Sequence, residues 1–111
     1  RPVVEAMDDS FAWIIRGSKM TGAWRGKNEV REKLLTPLFA QFATRYVNTP
    51  RRIHADGDFV IVECKGNVTT KSGARYDNDY CFVIEMKDGR MIALTEYLDT
   101  ALVDRTLEPL A

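Results

Sequence analysis

Apolar residues recur every four positions from Val30 through Leu34, Leu38 and Phe42 to Tyr46, and Leu35 and Phe39 widen the stripe. That period is one face of an amphipathic helix and predicts a helix over 28–46. Asn28 stands at the N-cap position and Glu29 suits the first turn. Pro37 falls inside the pattern. It removes a backbone donor and crowds the preceding turn, so a kink or break is expected near Thr36. From Arg51 onward the pattern becomes β, with Asp56-Gly57-Asp58 as a turn. Phe59 to Val68, Tyr76 to Met86 and Met91 to Leu98 read as strands. Lys71-Ser72-Gly73 and the Asp-Gly pair in Lys87-Asp88-Gly89-Arg90 separate them as tight turns. Upstream, residues 2–7 read as a short helix end and Asp8-Asp9-Ser10 as turn chemistry. Phe11 to Ile15 is a short strand centred on Trp13, and 16–27 is a loop or ragged hairpin carrying Trp24. Asp99 or Thr100 caps a last short helix, Ala101 to Leu107, which Pro109 closes. Helices followed by a meander of antiparallel strands indicate an α+β domain, with helices packed on one face of a curved sheet.

Turn length decides which side chains share a sheet face. A three-residue loop at 71–73, with Gly73 left-handed, sets Thr70 opposite Ala74, Gly66 opposite Asn78, Cys64 opposite Tyr80 and Val62 opposite Phe82. One face then carries Val60, Val62, Cys64, Gly66 and Val68 with Tyr76, Asn78, Tyr80, Phe82 and Ile84. It is mostly apolar with a few polar tips, the chemistry of a ligand pocket or a core. The opposite face carries Phe59, Ile61 and Glu63 with Asp77, Asp79, Cys81 and Val83. A two-residue turn at Ser72-Gly73 would set Cys64 opposite Cys81. The longer loop is preferred because it turns Asp77 and Asp79 outward. On the third strand Ile92, Leu94, Glu96 and Leu98 share a face, so Glu96 is a carboxylate on a greasy surface. Burial raises its pKa unless a donor satisfies it, which is how a general acid or base is made. The other reading of Glu96 is a structural carboxylate held by Tyr80 or by a Trp nitrogen.

Composition narrows the function classes. The 111 residues make one ordinary domain. Sixteen Lys and Arg balance sixteen Asp and Glu. A nucleic-acid arm or a polybasic membrane surface needs an excess of one sign, so no nucleic-acid or membrane partner is expected. No apolar run approaches the ~20 residues that span a bilayer. Two cysteines without metal spacing and a single histidine, His54, argue against a metal site and a disulfide scaffold. No Walker, dinucleotide or Gly-x-Ser-x-Gly motif occurs, so no cofactor is expected. With no signal-peptide pattern, the expected location is cytoplasmic. The opening Pro2 to Met7 reads as the last turns of a helix already under way.

Several motifs come in a fixed order: GAWRG at 22–26 with the helix after it, then ADGDFVIVE at 55–63 and YDNDY at 76–80, then DGRMI at 88–92 and TEYLDT at 95–100. Together they resemble the SnoaL-like group of ketosteroid-isomerase-related proteins across essentially the whole chain, 1–111 as a single domain. The resemblance implies the cone-shaped α+β fold of nuclear transport factor two, a curved antiparallel sheet wrapped around helices, with a further N-terminal helix of a few turns. It also implies a homodimer packed sheet to sheet through Phe59, Ile61, Cys81 and Val83. Limonene epoxide hydrolase, a relative, uses an Arg-x-Asp pair where this chain has Cys64 and Gly66, and a last-strand acid whose counterpart is Glu96. Ketosteroid isomerases place their base where this chain has Ile14. The polyketide cyclases use an acid near the end of the sheet, a place that Glu96 or Asp99 fills.

These readings give a pocket for a small hydrophobic molecule. Glu96 is the candidate general acid/base of a cofactor-free isomerase, cyclase or dehydratase, with Tyr80 and Asn78 polarising the substrate oxygen. Tyr76 is a rim residue. Trp13 and Trp24 line the cavity or fill the core, and Cys64 borders it as a small buried hydrophobe. Asp99 caps the last helix, His54 is solvated, and Glu63 pairs with a cation across the sheet. The alternatives are a non-catalytic ligand-binding module and a dimeric interaction domain whose cone is filled by its own side chains.

Overall fold

The structure, a computed structural model, describes residues 6–17 and 21–110. Strands β1 (Met7–Arg16) and β2 (Gly22–Arg25) form a hairpin. A helical segment, α1, follows in three continuous stretches, Lys27–Glu29, Val30–Leu35 and Thr36–Phe39, of which the middle one is π-helical. Strands β3 (Val47–Asp56), β4 (Phe59–Asn67), β5 (Asp79–Lys87) and β6 (Arg90–Leu98) form a meander, and helix α2 (Thr100–Thr106) comes last. The six strands make one sheet in the order β2-β1-β6-β5-β4-β3. The sheet is mixed, not the wholly antiparallel one expected. The pair β1–β6 runs parallel. Parallel neighbours need a long crossover between them, and here α1 and the whole meander supply it.

Local chemistry sets the element ends. The turn residues near the start do not break β1. Asp8 accepts the Ser10 N–H at 3.0 Å and the Ser10 hydroxyl at 2.6 Å, and the chain bulges between Met7, opposite Met91, and Ala12, opposite Ala93. Met7 is thus the first strand residue, not the end of a helix; Ala6 is helical, and residues 2–5 lie outside the described ones.

Helix α1 starts at Gly26, whose φ of 89° suits a residue without Cβ. Asn28 lies inside the first turn and accepts from Arg31, so it is not the cap. The break expected near Thr36 takes the form of a widened turn: the Thr36 N–H reaches back five residues to the Arg31 carbonyl, just before Pro37, which has no N–H to offer. The helix stops at Phe39 and does not continue to Tyr46, because the Gln41 and Phe42 N–H groups reach back only three residues. Phe42 and Tyr46 nevertheless stay in the core, stacked at 5.6 Å on each other, with Tyr46 stacked on Phe39 at 5.9 Å and Phe42 tilted against it at 5.8 Å.

The register of β4 and β5 is the expected one, with Cys64 opposite Tyr80 and Val62 opposite Phe82. Beyond the ladder it continues through Gly66 N–H to Asn78 O and Thr70 N–H to Ala74 O, with Gly73 at φ 90°. The β5 ladder itself begins at Asp79, three residues later than expected. Asp88 at φ 52° and Gly89 at φ 76° make the two-residue turn into β6. A bulge then follows: Glu85 pairs with Ala93 but Met86 with Met91. Ile92 is the extra residue, and Met91, not Ile92, lines the interior with Leu94.

Helix α1 presses Val30, Leu34 and Leu35 onto Met7, Phe11, Ile15 and Leu94. A second cluster joins Phe42, Val68, Tyr76 and Val103. On the outer sheet face Phe59 is 43% and Tyr97 48% exposed. Arg52 there bonds Glu63 at 2.8 Å and holds its carboxyl below the usual range, while exposed His54 sits 3.4 Å from the same group. Among the described residues no helix is long and apolar enough to cross a membrane.

Candidate functional site

Between the inner sheet face and α1 the two clusters leave a cavity of about 730 Å3. Its floor is Val62, Phe82, Ile84, Met91, Leu94 and Leu98; helix α1 closes it with Leu34, Leu35, Leu38 and Phe39. The cone therefore stays open inside. A cavity of this size in an apolar wall, with few polar groups, has the make-up of a small-molecule site.

Glu96 projects from β6 into this wall at 6% exposure. Parallel pairing sets Ile15 beside Glu96 and Trp13 beside Leu94 on the same face. From there the Trp13 indole N–H donates to Glu96 Oε1 at 2.8 Å. Burial pushes the Glu96 carboxyl from 4.5 up to about 7, and the Trp13 bond opposes that rise only in part. No cation enters the balance, so the group changes protonation near neutrality.

Three phenols, Tyr46, Tyr76 and Tyr80, line the same cavity. Burial raises all three, and the Tyr46 and Tyr76 hydroxyls raise Tyr80 further, so each is a neutral O–H at physiological pH. Gly66 allows the cluster to form. A Cβ there would lie 3.1 Å from Tyr80 Cε2 and 3.2 Å from Tyr46 Cε1. Cys64 lies on the same wall, its thiol pushed by burial up to about 11, which makes it an inert small hydrophobe.

Five of the seven residues expected at the site, Glu96, Tyr80, Tyr76, Trp13 and Cys64, line this one cavity. Two do not. Asn78 is fully buried behind the wall: its Oδ1 accepts the Asp99 N–H at 3.0 Å, and its Nδ2 donates to the Asp99 carbonyl and to the Tyr76 hydroxyl, both at 3.1 Å. Those bonds exhaust the amide in anchoring the start of α2, where Asp99 caps through the Leu102 N–H at 3.2 Å. Trp24 faces the same side as Trp13 but lies on the edge strand β2, where it packs against the core cluster and folds back under Gly22. Reach thus separates the two tryptophans, since Trp13 sits one strand closer to the cavity.

Sequence reasoning missed Tyr46, Arg45, Asn48 and Pro50 as lining residues. Tyr46 was visible only as the last member of the helical stripe. The others lie where β3 begins, and Pro50 disguises the strand. An edge strand tolerates proline because one side of its backbone needs no partner. Among the described residues no group of three His, Cys, Asp or Glu side chains could hold a metal ion.

Known structures share this architecture. An NTF2-like protein of unknown function from Burkholderia pseudomallei is 18% identical, with a TM-score of 0.79 over 96% of this chain and 83% of its own. A SnoaL-like polyketide cyclase assignment has been made, as putative, for a protein from Jannaschia sp. CCS1; it is 19% identical, with a TM-score of 0.76 over 95% of this chain and 76% of its own. TerC, crystallised with polyporic acid, is 20% identical, with a TM-score of 0.80 over 96% of this chain and 83% of its own. No curated protein sequence matches the chain. The family model of the SnoaL-like domain matches residues 2–94. The cone, its cavity-facing sheet and that match agree: the chain belongs to the SnoaL-like domain family.

Proposed function

We propose that the cavity binds a small, largely apolar molecule and that Glu96 moves a proton on it. One observation carries this reading: a carboxyl on an apolar cavity wall, with one oxygen fixed by Trp13 and a pKa near 7. A group balanced near the operating pH is the efficient acid or base. As a carboxylate, Glu96 takes a proton from the carbon next to a carbonyl; as an acid, it returns one elsewhere on the same molecule. Tyr80 is on the neighbouring strand, one pleat along on the same face, since Phe82 pairs with Glu96 and Tyr80 with Leu98. Its neutral phenol stabilises the charge that develops on the oxygen. Isomerisation, aldol-type cyclisation and dehydration all use these two steps, and none needs a cofactor.

The test is hydrogen–deuterium exchange at the α-carbons of 2-tetralone in D2O, followed by NMR. The expected result is exchange well above the buffer rate, lowered about 10²- to 10⁴-fold by Glu96→Gln. Binding of 2-tetralone with exchange at the buffer rate would instead establish a non-catalytic binder. The half-apolar outer face fits a second copy of the chain, packed through Phe59 and Tyr97. Sedimentation at micromolar concentration tests that part, and a strictly monomeric protein would exclude it.

A further inference from the structure

Of the described residues that line the cavity, only Arg45 and Pro50 are exposed, so the mouth opens where β3 begins. The backbone there is pinned. The Ala43 and Thr44 N–H groups donate to the Thr69 carbonyl at 2.8 and 3.3 Å, and the Thr69 N–H donates to Thr44 Oγ1 at 2.9 Å. On the other side Tyr46 stacks on Phe39 and Phe42. Arg45 thus sits between two anchored neighbours, and the fold itself holds it at the mouth. Among the described lining residues it is the one cation, and Glu96 is the one acid. Farther along β3, Arg51 and Arg52 face Asp79 and Glu63 at 3.4 and 2.8 Å. Arg45 has no such partner among the described residues. Asn48, on the same wall, does not supply one: its Nδ2 donates to the Tyr46 hydroxyl, and its Oδ1 is buried with no hydrogen bond at all.

A charged ligand that fills this cavity must leave its charge at the mouth. Deeper in, the wall is apolar and its one acid is Glu96, so an anionic group there would lose its water and gain no cation. At Arg45 the same group keeps part of its water and meets a planar guanidinium, whose paired N–H groups match the two oxygens of a carboxylate. We infer that the ligand is an apolar carboxylic acid, bound with its carboxylate on Arg45 at the mouth and its far end towards Glu96. This inference rests on the reading of the cavity as a binding site. It narrows the substrate class to acids and fixes their direction: the carbon that Glu96 deprotonates lies at the end remote from the carboxylate. Arg45 is a specificity residue in this arrangement and takes no part in the proton transfer.

Two probes of matched shape test it, 2-naphthoate and the neutral 2-acetylnaphthalene, measured by calorimetry on the wild type and on Arg45→Gln. The acid should bind the wild type about fivefold tighter than the ketone, the upper range for a solvent-exposed ion pair. Arg45→Gln should remove that preference by weakening the acid alone, and about 0.5 M NaCl should shrink it in the wild type. In the wild-type complex, nuclear Overhauser contacts should join H3 of the naphthoate to Pro50 and H6 to Leu94. The preference and these contacts decide the matter in the wild type even if the variant does not fold. Equal binding of the two probes, or a preference that survives Arg45→Gln, would overturn the role of Arg45 and leave the cavity reading intact. Contacts in the reverse order, with H6 at Pro50, would overturn it as well. Binding of neither probe would overturn both readings.

Discussion

The Trp13 indole nitrogen lies 2.8 Å from Glu96 Oε1, across 83 residues of sequence. The bond exists because β1 and β6 are parallel neighbours that set both side chains on the inner face. It gives the buried carboxyl one fixed oxygen while leaving it close to neutral charge balance at physiological pH.

A raised carboxyl makes stability depend on pH in a definite direction. The folded protein holds the Glu96 proton more tightly than the unfolded chain does. The contribution is therefore fully present below 4.5 and is lost as the pH rises to about 7. The full difference is about 3 kcal/mol. Urea unfolding at pH 5 and pH 8 should show the wild type losing stability relative to Glu96→Gln by an amount of this order. A difference that does not change with pH would mean that Glu96 titrates normally in the fold.

Removing the indole donor should push the carboxyl higher still. Trp13→Phe keeps an aromatic ring against Phe11 and Phe82 but deletes the bond that lowers the Glu96 pKa. If Glu96 acts as a base on 2-tetralone, the rising limb of the pH–rate profile should shift upward in this variant. A limb that stays in place would detach Trp13 from the chemistry.

Asn78 should be costly for stability and not for chemistry as such. Asn78→Ala strands the Asp99 N–H and carbonyl and the Tyr76 hydroxyl in a fully buried place. The expected loss is about 2–4 kcal/mol in urea unfolding. A loss under about 0.5 kcal/mol would show that the start of α2 holds without it.

Gly66→Ala tests the crowding of the phenols. The added methyl lies 3.1–3.3 Å from Tyr80 and Tyr46 atoms, so both rings must give way. The expected destabilisation is about 1–3 kcal/mol. Loss of 2-tetralone affinity should accompany it if those rings shape the cavity. Unchanged thermal stability would mean that the rings move freely.

Much of the cone could be read directly from residue order. The turn at 71–73 fixes the β4–β5 register, and alternation then puts Cys64, Tyr80 and Phe82 on one face. Glu96 stood out because it interrupts an apolar alternation. The features that misled were local signals overruled by neighbours. The Asp8–Ser10 turn was absorbed as a bulge because β6 pairs on both sides of it. The helical stripe ran past Phe39, because Phe42 and Tyr46 pack in the same core without being helical.

The sequence by itself determined the α+β class, the β4–β5 register and most of the inner face, because turn length and a period of two act over a few residues. The tertiary structure alone decided which polar groups converge. The parallel pairing of β1 with β6 brought Trp13 to Glu96. The edge position of β2 left Trp24 outside the cavity. The return of the chain at Asp99 engaged Asn78, and the bend after Phe39 carried Tyr46 to Tyr80. Each of these is a contact between distant segments, set by strand order and chain reversal, and no local pattern encodes it.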